Sequence, residues 1–250
     1  MPNNNDANNL IYHPQGVYFP GVKFPAGFVS NAGSGNIDIY TCPAGRRACI
    51  TYIIGYNNAG TTTTFYPVIY VGGTYYRIGG QANAATTAQG QVMNTSAPTA
   101  VLIMLEAGER IGVNTTQAGM NFWANIVEFD STAPIKSSKV VSLANGNNTI
   151  YTCPAGKKAV LIDQWMALNF TLKKVYYFNN SASSANIIWY AVPNGGSPGS
   201  TNQIATETVS SGAVSARLGG GWMLNAGDSV VCNTNVATAT QTAWVNVLEL

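Results

Sequence analysis

The chain has 250 residues, 46% apolar and 9% charged, and its 12 basic and 10 acidic side chains leave a formal charge of +2. That length suits two domains of ordinary size, and the charged fraction is far below the roughly 25% of an average soluble protein. A surface of Asn, Thr, Ser, Gly and Ala excludes solubility by net repulsion, and basic residues that cluster only in pairs (Arg46-Arg47, Lys157-Lys158, Lys173-Lys174) exclude the concentrated basic face of a nucleic-acid binder.

Residues 1–29 read as an extended arm. Asn dominates its start, and no basic segment followed by an apolar core marks a secretory signal. Nowhere in the chain do ~18 apolar residues run together. The expectation is synthesis in a cytosol, no membrane span and no export by the common route. Pro14, Pro20 and Pro25 favour extended chain without a regular ladder. Tyr12 precedes them, and Tyr18, Phe19 and Phe24 lie between them. Aromatic side chains on such a segment cannot make a core of their own. They pack on the body of the protein or dock on a partner, two readings of equal weight.

Residues 30–130 form a first β domain. Its opening motif, Ile39-Tyr40-Thr41-Cys42-Pro43-Ala44-Gly45-Arg46-Arg47-Ala48, places Pro at the second position of a turn and Gly two residues later. Strand-like runs follow at Ala48–Tyr56, Phe65–Val71, Tyr75–Ile78 and Val101–Leu105. Leu105-Glu106-Ala107-Gly108-Glu109-Arg110-Ile111 is a second tight turn, with an acidic residue placed to accept hydrogen bonds from the turn's own amides. Trp123-Ala124-Asn125-Ile126-Val127-Glu128-Phe129 is the closing strand. Residues 131–138 read as a linker.

Residues 139–250 repeat this plan. The first motif recurs at Ile150–Ala159, offset by 111 residues, with Lys157 and Lys158 in place of Arg46 and Arg47. The second recurs as Leu224-Asn225-Ala226-Gly227-Asp228-Ser229-Val230 at an offset of 119, and the third as Trp244-Val245-Asn246-Val247-Leu248-Glu249-Leu250 at 121. Three motifs in one order with drifting offsets mean duplication with loop insertions. Further strands are expected at Ala159–Phe170, Val175–Phe178 and Ile187–Val192. The fold class is therefore all-β: two tandem β-sandwich or jelly-roll-like domains behind an extended arm.

Candidate chemistry is sparse. His13 is the only histidine, and it lies in the arm. Cys42, Cys49, Cys153 and Cys232 match no zinc spacing. Cys42 and Cys153 hold the same repeat position and read as buried thiols in preference to a Cys42–Cys49 disulfide. Glu128/Glu249 and Glu109/Asp228 occur in both copies, which marks them as fold determinants rather than a catalytic pair. Trp123 and Trp244 are assigned to the core on the same ground. Gly219-Gly220-Gly221 lacks the Lys-Ser/Thr of a phosphate loop, and the carboxylates lack calcium-loop spacing. No catalytic residue, metal or cofactor is expected. Trp165, Trp189, Trp222, Tyr176, Tyr177 and Tyr190 concentrate in the second copy. Core packing is the favoured reading for them; a sugar-stacking platform centred on Trp189 and Trp222 is the alternative.

The strings Tyr151-Thr152-Cys153-Pro154-Ala155-Gly156-Lys157, Leu224-Asn225-Ala226-Gly227-Asp228 and Val247-Leu248-Glu249-Leu250, with their earlier twins, resemble β-sandwich domains of tailed-bacteriophage structural proteins. The first copy departs from that pattern in carrying Glu109 where the turn has Asp. The resemblance implies a virion component made in the host cytoplasm, a homotrimer of the capsid decoration or cement type. Its partners would be the major capsid protein or other virion proteins. A tail or fibre receptor-binding or carbohydrate-binding module is the alternative.

Overall fold

The computed structural model describes residues 21–92, 103–161, 175–217, 223–236 and 241–250, with the side chains of Ala26 and Thr51 left aside. These residues form β-strands, turns and one 3-10 turn at Ser200–Asn202, with no α-helix among them. The chain divides into two compact units that part between Ala133 and Pro134, Tyr76–Ile78 grouping with the second.

The first domain runs from β1 (Ala26–Ala32) and β2 (Gly35–Thr41) through β3 (Arg46–Asn57), β4 (Thr63–Val71), β5 (Thr74–Arg77) and β6 (Ala82–Ala84). It continues with β7 (Gln89–Val92), β8 (Ile103–Leu105), β9 (Arg110–Thr115) and β10 (Met120–Asp130). One sheet has the order β1-β10-β3-β7, with β8 also on β3; the other has the order β2-β9-β4-β5, with β6 also on β4. Counting β5 with β6 and β7 with β8 as single interrupted strands gives eight. The first, eighth, third and sixth share one sheet, and the second, seventh, fourth and fifth share the other. That is the strand order of a jelly roll.

The second domain repeats it with β11 (Ile135–Val141), β12 (Gly146–Thr152), β13 (Ala159–Leu161), β14 (Val175–Phe178) and β15 (Ala185–Val192). It closes with β16 (Gln203–Val209), β17 (Val214–Arg217), β18 (Met223–Leu224), β19 (Ser229–Thr234) and β20 (Thr242–Glu249). Strands β13 and β14 both pair with β20, as β3 pairs with β10, and β11 lies on the other side of β20; β12-β19-β15-β16 is the second sheet.

Each repeat begins one strand earlier than its first sequence motif. β1 takes residues expected in the arm, so the arm ends at the sheet and not at residue 29. Lys23 already exchanges both backbone hydrogen bonds with Glu128, at 3.0 and 2.9 Å. β11 takes residues expected in the linker, pairing Ile135 with Leu248 and Ser137 with Asn246. β1 and β11 are the same structural strand, because Ala26 pairs with Asn125 as Ser137 pairs with Asn246.

The repeated turns superpose in detail. Arg46 N–H donates to Pro43 O and Lys157 N–H to Pro154 O, each at 3.2 Å. Pro therefore opens the turn instead of filling its second position. Gly45 and Gly156 occupy the third position, both at φ 72°, where a β-carbon is strained. Cys42 Sγ lies 3.4 Å from Arg46 O and 3.7 Å from Leu105 O; Cys153 Sγ repeats both distances to Lys157 O and Leu224 O. All four thiols are free and buried. The acidic residues of the second motif cap it as expected, Glu109 and Asp228 each accepting a turn amide at 2.8 Å.

The core fills the space between the sheets. In the first domain Phe65 of β4 meets Phe122 of β10 edge to face, with ring centroids 5.3 Å apart, a contact worth ~0.5–1.5 kcal/mol beyond its burial. The second domain buries Trp189 and Ile187 of β15 and Val230 of β19 against Tyr177 of β14 and Val245 of β20. Asn57 and Asn179, buried and equivalent, each tie down the turn after their strand. Asn57 Nδ2 donates to Thr61 O and Ala84 O at 2.8 Å, and Asn179 Nδ2 to Ser183 O and Val209 O at 2.9 and 2.8 Å.

Candidate docking surface

Strand alternation decides what the β1-β10-β3-β7 sheet shows to solvent. On β10, Phe122 and Ala124 point into the sandwich, so Asn121, Trp123 and Asn125 point out. Pairing then places Phe28, Trp123, Ile54 and Gln91 in one row across the sheet. Asn121, Tyr56 and Gln89 form the row on one side, and Asn125 and Tyr52 the row on the other. Trp123 is 38% exposed and Phe28 51%, with ring centroids 5.1 Å apart and planes tilted by 38°. Phe24, two residues before β1, is 64% exposed. None of these side chains carries a formal charge. Aromatic groups ringed by amides and left in water mark an interaction site better than scattered surface Leu or Val would.

This placement corrects the core assignment of Trp123. Its repeat partner Trp244 is fully buried and stacks on Tyr176 at 5.0 Å with planes within 4°. Trp244 nonetheless occupies the same outward position, because its neighbours Ala243 and Val245 fill the sandwich core. Equivalence in the repeat thus fixed the direction of both rings, and not their burial.

The chain enters this surface through a tight clamp. Arg46 donates to Gly21 O and pairs with Asp130, while its Nε lies 3.3 Å from Glu128 Oε2. Tyr40 O–H donates to Glu128 Oε1 at 2.6 Å. Glu128 is only 7% exposed, so its charge is held by these two donors and not by water. The second domain keeps the Tyr–Glu bond, Tyr151 to Glu249 at 2.8 Å, but its cation comes from Lys136 on β11.

A second cluster is peculiar to the first domain. Asp38 accepts from Arg110 and from Tyr75 O–H, both at 2.8 Å, and the Arg110 guanidinium lies 4.2 Å from the Tyr70 ring centre. Thr149 and Ser229 take the places of Asp38 and Arg110 in the second copy. With its carboxylate engaged by both neighbours, Asp38 is a surface crosslink. Among the described residues no three or more His, Cys, Asp or Glu side chains gather as metal ligands would. Among them, too, no helix is long and apolar enough to cross a membrane.

The remaining candidates separate clearly. Trp189, proposed for sugar stacking, is fully buried in the second core together with Tyr177 and offers no face to a ligand, and Tyr176 is buried on the opposite face of its sheet against Trp244. Trp165, Trp222, Tyr12, Tyr18 and Phe19 lie outside the described residues. The surface carried by Phe28 and Trp123 was missed in the sequence. The two belong to segments read as arm and core, and only the β1–β10 pairing brings them together.

No family model matches the chain, and no curated protein is detectably similar in sequence. Among solved structures, PNGase F, a glycosylasparaginase from Flavobacterium meningosepticum, is similar at TM-score 0.38 and 11% identity, over 91% of this chain and 96% of that one. A triple jelly-roll turret protein of an archaeal virus is similar at TM-score 0.25 and 13% identity, over 91% and 59%. The PBSX exported protein XepA is similar at TM-score 0.24 and 10% identity, over 96% and 93%.

Proposed function

We propose that this protein is a structural component of a tailed-phage virion, of the capsid decoration type, and that it acts by protein–protein contact. The supporting observation is the exposed, uncharged aromatic surface of Phe24, Phe28 and Trp123, set where the arm enters the first jelly roll. A decoration protein needs a rigid body and an apolar anchor. Interface anchors are typically aromatic, with an uncharged polar surround that excludes water. The low overall charge agrees with a surface meant for packing.

The test is co-sedimentation of the purified full-length chain with capsids from the phage that encodes it. Binding that is lost in Trp123→Ala supports the reading. Protein that stays in the supernatant overturns it. A second reading, a carbohydrate-binding module, is favoured by one observation: Trp123 is flanked by the amides of Asn121 and Asn125. Retention on a neutral polysaccharide gel that depends on Trp123, with no capsid binding, would select it.

A further inference from the structure

We infer that Asn194-Gly195 is a spontaneous deamidation site, at which the folded protein converts its own asparagine to aspartate and isoaspartate. The inference is independent of the virion reading and of the aromatic surface.

The sequence holds two Asn-Gly pairs, Asn145-Gly146 and Asn194-Gly195. In such a pair the glycine amide nitrogen attacks the asparagine Cγ, because no β-carbon on the glycine crowds the approach. The N–Cγ bond forms, the Cγ–Nδ2 bond breaks, and the amide proton leaves with the side-chain nitrogen as ammonia. Water then opens the cyclic imide at one carbonyl or the other, giving aspartate or isoaspartate. The reaction needs a glycine N–H and a side-chain amide that are not hydrogen-bonded, and a peptide that can rotate to bring them together. The structure separates the two pairs on these grounds.

Asn194-Gly195 meets the requirements. It lies in the turn after β15, where Gly196 N–H donates to Pro193 O at 2.8 Å and Gly195 has φ 75°. Asn194 and Gly195 are the two central residues of that turn, and Asn194, Gly195 and Gly196 are all exposed. Among the described residues nothing accepts from the Gly195 N–H, and nothing hydrogen-bonds the Asn194 side chain. The side-chain amide lies on bare backbone, since a β-carbon on Gly227 would meet Asn194 Cγ at 2.5 Å. The Asn194 N–H stays on Asp228 Oδ1 at 2.9 Å while the following peptide rotates. The bond that opposes this rotation is the one that closes the turn.

Asn145 is exposed as well, so exposure alone does not decide. Its glycine, Gly146, begins β12 and pairs with Thr234 of β19. The Asn148 side chain accepts from Ala144 N–H at 2.9 Å and donates to Ala144 O and Gly146 O at 2.8 and 3.0 Å. The peptides on both sides of Asn145-Gly146 are thus tied to one side chain, and this pair reacts through opening of its loop.

Conversion has a local consequence. It sets a carboxylate at position 194 beside that of Asp228, which holds the Asn194 and Asn225 N–H groups at 2.9 and 2.8 Å. The isoaspartyl product also inserts one extra carbon into the backbone of the turn.

The test is peptide mapping by mass spectrometry of the full-length protein, incubated for several weeks at pH 8.5 and 37 °C, folded or unfolded in guanidinium. In the folded protein Asn194 is expected to convert at least about tenfold faster than Asn145, whose rate is scaled down by the fraction of time its loop is open. In the unfolded chain, where both asparagines precede glycine and nothing holds either, the two rates should converge. Asn194→Gln, whose longer side chain closes a ring far more slowly, should remove conversion at this position, with circular dichroism verifying the fold. A smaller difference between the two sites in the folded protein overturns the proposal. So does the same difference persisting in the unfolded chain, since sequence and not structure would then select the site.

Discussion

Phe122 stands directly across from Gly55 on the neighbouring strand, and a β-carbon on Gly55 would meet Phe122 Cε1 at 2.8 Å. The second domain inverts the pair: Tyr177 holds the Gly55 position and Ala243 the Phe122 position. An aromatic ring from one of these two adjacent strands fills the place in each core, and in the first domain Phe65 packs beside it, its Cζ also 2.8 Å from that β-carbon. The duplicated domain has kept the volume and moved the ring, the kind of exchange a close-packed core tolerates.

Gly55→Ala should therefore cost ~1–3 kcal/mol by overpacking, and Phe122→Ala ~3–5 kcal/mol by leaving a cavity. The two should not add. With the Phe122 ring gone, the new methyl at position 55 gains room on that side and Phe65, otherwise as close, can shift into the space left, so the double variant should be more stable than the sum of the singles predicts. Denaturant unfolding of the four proteins measures the coupling, and strict additivity would refute a shared volume.

Alkaline pH should destabilise the fold, and the direction follows from what is buried. Burial, and then the hydrogen bond to Glu128, pushes the Tyr40 phenol up from its ordinary 10.0. Burial and the bond to Glu249 do the same to Tyr151, and burial raises Tyr177 to about 12. Burial, with the Glu128 carboxylate adding, raises the Cys42 thiol from 9.0 to about 12; burial alone raises Cys49. In the unfolded chain these groups lose protons near pH 9–10, while the folded protein keeps them. The native state then binds more protons, so stability falls as pH rises through this window towards 12 and is fully present below it. Denaturant midpoints between pH 8 and 11.5 should fall steadily, and Tyr40→Phe should flatten the slope.

Much of this fold is legible in the sequence because its turns are chemical. Pro43, Gly45, Gly108 and their twins mark chain reversals that few other residues permit, and the runs between them are rich in β-branched and aromatic residues. The first strand of each repeat is not legible: β1 and β11 align with a single shared residue, Val29 and Val140. Both are outer strands paired only with β10 or β20, so the sandwich constrains their outer side chains weakly. Asn57 and Asn179 escaped notice for a different reason, since a buried Asn that caps a turn looks like any loop Asn until the turn is drawn. The exposed surface depended on exactly such a missing strand. Without β1 there is no Phe28 beside Trp123.

The four cysteines should be silent in the native protein. Cys42 and Cys153 are 1% exposed, and Cys49 and Cys232 not at all. Burial keeps a reagent away from all four sulfurs, and a buried thiol reacts only through opening. A thiol reagent such as DTNB should find no fast-reacting group in native protein and four after guanidinium unfolding. Fast reaction of even one in the native state would contradict the packing of the Cys42 and Cys153 niches. Non-reducing electrophoresis before and after unfolding should show no internal crosslink.

Arg46 is the residue on which the arm's entry depends. Its planar fork serves three acceptors, Gly21 O, Glu128 and Asp130, from a side chain only 13% exposed. Lys157 stands at this position in the second copy, where Lys136 neutralises Glu249 instead. Arg46→Lys keeps the charge and loses the fork, so it should release Gly21 while Glu128 stays paired. Hydrogen–deuterium exchange over residues 21–30 should then speed up with little change in global stability. Arg46→Met should cost more, ~3–5 kcal/mol, because it leaves the Glu128 carboxylate buried with Tyr40 as its one strong donor. Unchanged exchange at Lys23 in both variants would mean that backbone pairing with Glu128, not the guanidinium, fixes the start of the arm.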